Sequence, residues 1–452
     1  MRSLYDAMPT AGRVTDSGIR QLYTTDGRWQ AWLDVEAALA EAEAEVGLVP
    51  ESAARAIVES ARLELMDRDR IAEATLRTSH TLVPLVWELS RVAGEEAGRW
   101  VHWGATTQNI VQTGDLLVLR KAHGIFLGLL RQTLLSMAEL AERSADMTMP
   151  ARTHGQHAVP TTFGFKVAVW IDEMARHLER LHEAEPRVFV AMLGGAAGTF
   201  ASLGEQGPVV QAGVAARLGM TPMAVPARTI GDHLAEYVCL LGLLASTCGK
   251  VAREVYTLMK TEFGEVEEPI PPGTVGSSTM PQKRNPHLCQ DIVAAAAAVR
   301  GSIPTALEAM QTEHEADRST SLMMHEVIER ACIATGDLLS RLAVVMDGLQ
   351  LHPRRMQENV LRTDGLIMAE PVMLALGEAI GRQTAHEVVY EAAQAAATQA
   401  LSFVDLLAKD VRVTAHLSQE RIASMLDPSG YVGLSAVMAR ESAARARRIV
   451  EG

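Results

Sequence analysis

Hydrophobic residues recur every three to four positions along most of the chain, which is the spacing of amphipathic α-helices. The first long run covers residues 29–46, and Gly47 followed shortly by a proline forms a helix stop. A second helix is therefore expected near Glu51, and another over residues 84–93, with its proline in the first turn. Together these helices predict a small helical domain over residues 1–105.

Much longer helical segments are predicted in the middle of the chain. They are expected over residues 110–144, 161–183, 232–262, 290–300 and 305–350, with Gly301 and Pro304 as candidate break points. Helices of this length must bury their apolar stripes against one another, which predicts a long bundle over residues 106–352. Past Pro353 the helices become shorter, so residues 353–452 are predicted to form a third helical domain. The expected separators there are Gly365, Pro371, Gly381, Pro428 and Gly430.

Composition favours the same all-α fold with three helical domains. Hydrophobic residues make up 48% of the chain and aromatic residues only 4%, so the apolar content is typical of helices rather than sheets. The formal net charge of −13 comes from interspersed acidic and basic residues. Because no basic face is evident, nucleic acid is excluded as a partner. An anionic ligand would need a locally positive pocket.

The sequence also carries information on location and cofactors. The N-terminal stretch lacks the continuous apolar run of an export signal, and no stretch of about eighteen uncharged apolar residues predicts a membrane span. The four cysteines form no CxxC pair and no disulfide framework, which indicates a reducing compartment and a cytoplasmic protein. Histidines and acids show no metal-binding spacing, and glycines form no dinucleotide or phosphate loop, so neither a metal nor a cofactor is expected.

The most informative polar segment is the run GSSTMPQKRNP over residues 276–286. Glycine allows the backbone to turn and approach a ligand closely, while the two prolines prevent a helix from continuing through the segment. Lys283, Arg284 and Asn285 supply donors for a carboxylate. The segment is therefore predicted to be a loop that binds an anion.

Two further polar segments precede long predicted helices. The first offers Thr106, Thr107, Gln108 and Asn109 where a helix starts, so side chains and free backbone N–H groups can converge on a carboxylate. Taken alone, these residues are ordinary helix caps. The second, over residues 152–162, contains His154, with Pro160 expected to begin the next helix. Taken alone, His154 and His157 would more often be structural histidines than catalysts.

Together the three segments resemble those of the fumarase/aspartase superfamily. The loop matches its GSSxMPxKxNP motif, HWGATTQNIVQTG resembles the HxGATSQDxxDT region of 3-carboxy-cis,cis-muconate cycloisomerase, and RTHGQHAVPTTFG resembles the RTHGQPAxPTT of that enzyme and of adenylosuccinate lyase. The segment GGAAGTFASLG and the C-terminal region, similar to that of adenylosuccinate lyase, agree with this branch. The resemblance covers nearly the whole chain. It implies a homotetramer with a twenty-helix core, whose sites each draw on several subunits.

The resemblance also implies roles at matching positions. Ser277 would be the base that removes a proton beside a carboxylate, Lys283 and Asn285 would stabilise the resulting aci-carboxylate, and His154 would protonate the leaving atom. Such an alkoxide base needs about 1.4 kcal/mol of differential stabilisation for each pKa unit by which it is lowered. Residues expected to bind substrate are Thr106, Thr107, Gln108, Asn109, Thr153, Gln156, Ser278, Met280, His80, Arg228 and Arg318. A structural role for His80 is an equal alternative.

Three positions depart from the pattern of the resembling enzymes. Gly231 and Ala316 stand where adenylosuccinate lyases carry arginines, and Asn109 replaces an aspartate. Because guanidinium groups suit bidentate binding of carboxylate or phosphate, their loss argues against the usual purine-nucleotide substrate. Arg228 or Arg318 could compensate from shifted positions. The cycloisomerase pattern is also incomplete, because it includes that aspartate and an arginine after His-Glu.

The sequence therefore predicts a cofactor-free carbon–nitrogen lyase acting on a succinyl-type, N-substituted aspartate-like substrate. It would release fumarate and an amine by β-elimination through a carboxylate-stabilised carbanion. One alternative is the cycloisomerase reaction, which requires a tricarboxylate site. Another is a catalytically silent, crystallin-like structural tetramer, against which the intact Ser277, Lys283, Asn285 and His154 argue.

Overall fold

The computed structural model describes residues 9–399 and 401–451, and most of them are helical. The α-helices are α1 Ile19–Leu22, α2 Thr25–Glu45, α3 Glu51–Ser60, α4 Arg68–Thr78, α5 Val83–Ala93, α6 Glu95–Gly98, α7 Thr107–Arg143, α8 Phe163–Val188, α9 Gly207–Leu218, α10 Asp232–Leu258, α11 His287–Glu308, α12 Arg318–Gly348, α13 Pro353–Leu361, α14 Ala369–Ile380, α15 Arg382–Gln399, α16 Phe403–Lys409, α17 Val411–Thr414, α18 Gln419–Met425 and α19 Ser435–Glu451. Short 3-10 turns cover Pro9–Arg13, Leu63–Leu65, Gly204–Gln206, Leu366–Met368 and Pro428–Tyr431. The all-α prediction is confirmed as the dominant architecture.

Six short strands accompany the helices in the described residues. They are β1 Thr148–Thr153, β2 Gln156–Thr162, β3 Val190–Ala191, β4 Thr221–Pro222, β5 Val266–Glu267 and β6 Gln350–Leu351. They form three two-stranded pairs, β1–β2 and β5–β6 antiparallel and β3–β4 parallel. The strands lie in segments that connect helices, so they shape loops and form no separate layer.

The chain divides into two compact units. Unit 1 contains residues up to Leu129 together with His177–Cys248 and Ala294–Ser340, and unit 2 contains Leu130–Arg176, Gly249–Val293 and the chain from Arg341 onward. The unit boundaries fall inside the five long helices. The division into domains 1–105, 106–352 and 353–452 stays a prediction.

In unit 1, helix α2 packs against α3 and α9. Thr24 caps its start by accepting the backbone N–H of Gly27 at 3.1 Å, and the helix ends at Glu45, before Gly47 adopts a φ of 76°. The left-handed conformation at Gly47 is the one that glycine adopts without steric cost. The predicted stop and the new helix at Glu51 are therefore confirmed.

The long helices agree with the predicted segments except between residues 290 and 350. Helix α11 continues through Gly301 and Pro304, whereas the break lies after Glu308, before α12. The neighbouring Ile303 packs where a Cβ of Gly242 would lie, and Ala306 is fully buried, so packing holds this part of α11 in place despite the proline. The expected breaks at Gly301 and Pro304 are wrong.

In unit 2, strands β1 and β2 form a hairpin in which Pro150 pairs with Pro160. Pro160 therefore lies in a strand, and α8 begins three residues later at Phe163, so the prediction that Pro160 begins a helix is wrong. A pair of edge strands tolerates proline, whose missing N–H is not needed for the ladder. Pro371 lies in the first turn of α14 and does not separate helices, whereas Gly365 and Gly381, with φ of 88° and 83°, stand at helix ends.

Helices α7 and α10 are long and apolar enough to cross a membrane by length and composition alone. Half of the apolar window in α7 and 61% of that in α10 are buried inside the protein. Such burial is typical of the core helices of a soluble protein.

Candidate active site

The loop over residues 276–286 in unit 2 is closed by a contact between its two ends. The side-chain amide of Asn285 donates a hydrogen bond of 2.6 Å to the carbonyl oxygen of Gly276. A Cβ at Gly276 would lie 2.0 Å from the carbonyl oxygen of Lys283, so only glycine fits this approach. The loop therefore folds back on itself directly before α11.

Ser277 lies half-buried inside this closed loop. Its Oγ accepts hydrogen bonds from the backbone N–H groups of Thr279 at 3.4 Å and Met280 at 3.1 Å. Donors directed at an oxygen favour its anionic form, although the same geometry occurs in ordinary serine turns. Lys283 is exposed, and its ammonium forms no ion pair within the described part of the chain. The predicted binding residues Ser278 and Met280 are also exposed.

Two carboxylates fix the C-terminal side of the loop. Glu267 forms an ion pair with Arg284. Glu268 is fully buried and accepts the backbone N–H groups of Leu288 and Cys289, each at 3.0 Å, at the start of α11. A carboxylate at this position satisfies N–H groups that have no partner within the helix, and it complements the helix dipole.

His154 occupies the tip of the β1–β2 hairpin in unit 2. Thr153 pairs with Gln156, which leaves His154 and Gly155 as a two-residue turn with φ of 52° and 78°. Positive φ at both positions is the requirement of a type I′ turn, which matches the twist of the two strands. His154, Thr153 and Gln156 are exposed, so all three predicted side chains are available to a ligand.

The hairpin is anchored through Arg152. Its guanidinium binds the buried carboxylate of Glu265 through two hydrogen bonds of 2.6 and 3.0 Å, and it lies 4.7 Å from the centre of the Phe263 ring. Glu265 also accepts the side-chain amide of Asn359 at 2.8 Å. Burial and the charge of Arg152 both lower the pKa of the half-buried His157, which favours its neutral form. The bidentate geometry fixes the hairpin directly before its turn.

In unit 1, the predicted carboxylate-binding segment forms the start of α7. The Thr106 carbonyl accepts the N–H of Asn109 at 2.9 Å, and Asn109 Oδ1 accepts the N–H of Thr106 at 3.0 Å and that of Gly195 at 3.2 Å. Asn109 is fully buried, and its amide lies 3.1 Å from the Met192 sulfur. The observed role of Asn109 is thus to cap α7 and tie it to residues 192–195, as in a capping box. Thr106, Thr107 and Gln108 are only half-buried.

Two buried glutamates of α2, Glu36 and Glu43, lie beside the turn before this helix. His102, with a φ of 65°, places its Nδ1 2.6 Å from Glu36 Oε1. Burial disfavours the charged form of His102. The hydrogen bond to Glu36 and the negative charge of Glu36 outweigh this effect of burial, so the pKa of His102 is raised. Glu43, fully buried with no hydrogen-bond partner for either oxygen, has its pKa raised to about 9 by burial and by the charge of Glu36. Glu43 is therefore a neutral acid at neutral pH.

The other predicted site residues of unit 1 differ in their contacts and in their exposure to solvent. His80 Nδ1 accepts the N–H groups of Leu82 and Val83 at 3.3 and 3.1 Å, so this ring caps α5. Arg228 is half-buried and donates to the Ala196 carbonyl at 3.2 Å, whereas Arg318 is exposed at the start of α12. A Cβ at Gly231 would meet only the terminal methyl of Met324, at 3.7 Å. Space is therefore available at Gly231, where the sequence pattern of adenylosuccinate lyases has an arginine side chain.

Sequence reasoning missed the buried carboxylates that support these segments. Glu36, Glu43, Glu265 and Glu268 are acidic residues that an average pattern places on the surface, so periodicity alone gives no signal for them. A usable signal was their position: two lie on the otherwise apolar face of α2, and two lie in the segment GEVEEP shortly before the loop. Among the described residues, no cluster of three side chains suitable for a metal ion occurs.

Comparisons with known proteins agree with this all-helical architecture. The sequence model of the family described as "Lyase" matches residues 12–301, and that described as "Adenylosuccinate lyase C-terminus" matches residues 365–441. The chain is 38% identical to N-acetyl-S-(2-succino)cysteine lyase of Enterococcus italicus, over 95% of this chain and 94% of that protein. It is 40% identical to 3-carboxy-cis,cis-muconate cycloisomerase of Pseudomonas aeruginosa, over 92% and 91%. The crystal structure of 3-carboxy-cis,cis-muconate lactonizing enzyme from Pseudomonas putida matches with a TM-score of 0.89 and 34% identity, over 98% of this chain and 99% of that one.

These matches place the chain in the family described as "Lyase", with a C-terminal region that matches the adenylosuccinate lyase C-terminus. The chain belongs to the fumarase/aspartase superfamily, as its sequence motifs predict. It is an enzyme of that superfamily, whose relatives include both lyases and a cycloisomerase. The roles and binding functions of the individual residues stay predictions.

Proposed function

We propose that the protein cleaves a 2-substituted succinate by β-elimination and releases fumarate. The observation that carries this proposal is the environment of Ser277, whose Oγ accepts two backbone N–H groups inside a closed loop. Hydrogen bonds to the oxygen would lower the pKa of the hydroxyl, and the positive charge of Lys283 in the same loop would act in the same direction. The resulting alkoxide would serve as the base.

The elimination proceeds in two chemical steps. Ser277 removes a proton from the carbon beside one carboxylate, and the electron pair delocalises into that carboxylate to form a dianionic aci-carboxylate. Lys283 and the second N–H of the Asn285 amide stabilise this charge, because they bind it more tightly than they bind the ground state. The electron pair then forms the double bond of fumarate as the bond to the leaving heteroatom breaks. His154 donates a proton to that atom.

Binding of the remaining carboxylate is assigned to the half-buried start of α7. Thr106, Thr107 and Gln108 offer side-chain donors beside backbone N–H groups at a helix N-terminus. Thr153 and Gln156 flank His154 and would orient the substrate, with Ser278 and Met280 contributing from the loop. Asn109 and His80, which are engaged in capping, would act by holding these segments in place.

The leaving group is proposed to be free of phosphate. Gly231 leaves open space, and Ala316 offers no charge, so neither position supplies the guanidinium that suits a phosphate. The sequence predicts an amine as the leaving group. The similarity to N-acetyl-S-(2-succino)cysteine lyase adds a thiol, which is the better leaving group because it carries negative charge more readily than an amine does.

Assembly and location follow from the same proposal. We expect a homotetramer in which each site draws on several subunits, with no metal or other cofactor, in the cytoplasm. Cys248, Cys289 and Cys332 are buried, and burial raises the pKa of each of these thiols, which keeps them protonated and inert. Such thiols suit a reducing compartment.

The test compares N-substituted aspartates with S-(2-succinyl) thioethers as substrates. The ultraviolet absorbance of released fumarate measures turnover of each compound. Turnover of at least one of these compounds, lost in Ser277→Ala, is the expected result. Turnover of the N-substituted aspartates alone would support a carbon–nitrogen lyase. Turnover of the thioethers alone would support a carbon–sulfur lyase. Absence of turnover in both series would overturn the proposed function.

A second candidate is the muconate cycloisomerase reaction, favoured by the 40% identity to the Pseudomonas aeruginosa enzyme. It uses the same carboxylate-stabilised carbanion, but it requires binding groups for three carboxylates. 3-Carboxy-cis,cis-muconate is therefore included in the same assay. If the protein converts carboxymuconate and releases no fumarate from either succinate series, the cycloisomerase reaction would replace the leading proposal.

A further inference from the structure

Three acidic residues of one short segment contact both functional elements of unit 2. The segment 265–268 contains Glu265, which binds Arg152 at the base of the His154 hairpin, and Glu267, which binds Arg284 in the loop. It also contains Glu268, which holds the first N–H groups of α11 directly after the loop. One stretch of four residues thus contacts the chain before the predicted acid, at Arg152, and after the predicted base, at Arg284 and the start of α11.

The segment itself is firmly anchored. Val266 and Glu267 pair with β6, and the Glu265 backbone donates to the Leu258 carbonyl and accepts the N–H of His352, each at 2.9 Å. A buried carboxylate is costly unless its oxygens are satisfied. Glu265 accepts three hydrogen bonds from Arg152 and Asn359, and Glu268 accepts the N–H groups of Leu288 and Cys289. Because these bonds are charge-assisted, small displacements of the segment are costly as well.

We infer that segment 265–268 is a positioning element that fixes the His154 hairpin and the Ser277 loop with respect to the same strand. Glu265 and Glu268 are positioning residues, since they act on the reaction through Arg152 and through the start of α11. This inference rests on the proposed function for the meaning of the two elements, but the mechanical coupling can be measured without substrate. Loosening one end of the segment should loosen the element at its other end.

The experiment uses Glu265→Gln and Glu268→Gln in the full-length protein, with Glu254→Gln as the matched control. Glu254 forms a 2.6 Å ion pair with Lys166 in the same unit, and among the described residues no hydrogen bond or ion pair joins either side chain to the hairpin, the loop or the segment. Amide hydrogen exchange is followed in peptides covering residues 150–158 and 276–290. Glu268→Gln should accelerate exchange in the loop and, to a smaller extent, in the hairpin, and Glu265→Gln should give the reverse order.

Activity provides the second measurement. With a substrate that the wild type turns over, each variant should lose about 10- to 100-fold in kcat, because a displaced catalytic group is costly. KM should stay within about threefold, because neither residue binds substrate. Arg284→Gln, which removes the ion pair between the exposed Arg284 and Glu267, keeps the test valid if a buried variant fails to fold, because it should accelerate exchange in the loop.

The outcomes separate the inference from the proposed function. If the wild type turns over no substrate, the proposed function fails, while the exchange data still decide the coupling. If each substitution accelerates amide exchange only in the element that the mutated residue contacts, the coupling between hairpin and loop would be overturned. Retention of wild-type kcat in both variants, with turnover in the wild type, would overturn the positioning role. Acceleration of exchange at both ends together with a selective loss of kcat supports the inference.

Discussion

The amide of Asn285 and the carbonyl of Gly276, joined at 2.6 Å, close the loop that contains Ser277. This closure brings the Lys283 carbonyl to where a side chain at residue 276 would begin. The conformation of the loop therefore depends on the absence of a single methyl group.

Gly276→Ala should inactivate the enzyme with little loss of global stability. Its Cβ would lie 2.0 Å from the Lys283 carbonyl oxygen, so the loop must open, and the N–H groups that point at Ser277 must move. A loss of about 100-fold or more in kcat is expected. The control is Gly301→Ala in α11, where no atom lies within 4 Å of the new methyl group. That variant should keep its activity and gain up to about 1 kcal/mol in the free energy of unfolding.

Ser277→Ala should reduce kcat by about 10³-fold or more, because it removes the proposed base from an otherwise intact loop. The half-buried position should tolerate alanine, so thermal unfolding should stay close to that of the wild type. The measurement is steady-state kinetics on the substrate identified in the fumarate assay. Ser424→Ala, on the surface of α18, is the control. Wild-type kcat in Ser277→Ala would eliminate this residue as the base.

Glu43 should make the folded protein less stable as the pH rises. Its pKa is raised to about 9 in the folded state, so the folded chain keeps a proton that the unfolded chain releases above the ordinary glutamate range. In that window each pH unit lowers the free energy of unfolding by up to about 1.4 kcal/mol. The effect is absent below the unfolded pKa and complete above the folded one.

Glu43→Gln, which mimics the neutral acid, should therefore match the wild type near pH 4 and exceed its stability by a few kcal/mol near pH 8. Denaturant unfolding at fixed protein concentration measures this difference. The exposed Glu73→Gln serves as the control and should show no such pH dependence. Equal pH dependence of Glu43→Gln and wild type would mean that Glu43 is ionised when folded.

Gly231→Arg should be accepted by the fold, because only the Met324 methyl lies within 4 Å of the new Cβ. The free energy of unfolding should change by no more than about 1 kcal/mol. If the open space belongs to the leaving group, kcat/KM for a small succinate should fall by about tenfold. Binding of a phosphorylated succinyl compound should improve at the same time, which isothermal titration can measure. Unchanged selectivity would place Gly231 outside the site.

The sequence anticipates the helices better than the supports of the site. Apolar periodicity placed α2, α5 and α10 to within a few residues, because burial of a helical face leaves a clear pattern. It failed at Pro304, where packing of Ile303 over Gly242 outweighs a local preference against helix. That contact joins residues far apart in sequence, so no local rule reports it.

The site shows the same division. Motifs point to Ser277, His154 and the start of α7 as site residues, which stays a prediction. Helix capping by Asn109 and a structural role for His80 are open alternatives in the sequence, and their partners Gly195 and Val83 show these structural roles. Glu265 and Glu268 read as surface acids in the sequence. They are buried because distant donors satisfy them.

The hairpin turn at His154 carries a consequence for protein engineering. Asn-Gly is the preferred pair for a type I′ turn, so a search for stabilising substitutions would select asparagine at residue 154, where φ is 52°. The resulting protein should withstand heating better and yet lack the group proposed to donate the proton. At this turn, thermal robustness and turnover are therefore competing objectives, and a library screened for folding alone would discard the working enzyme.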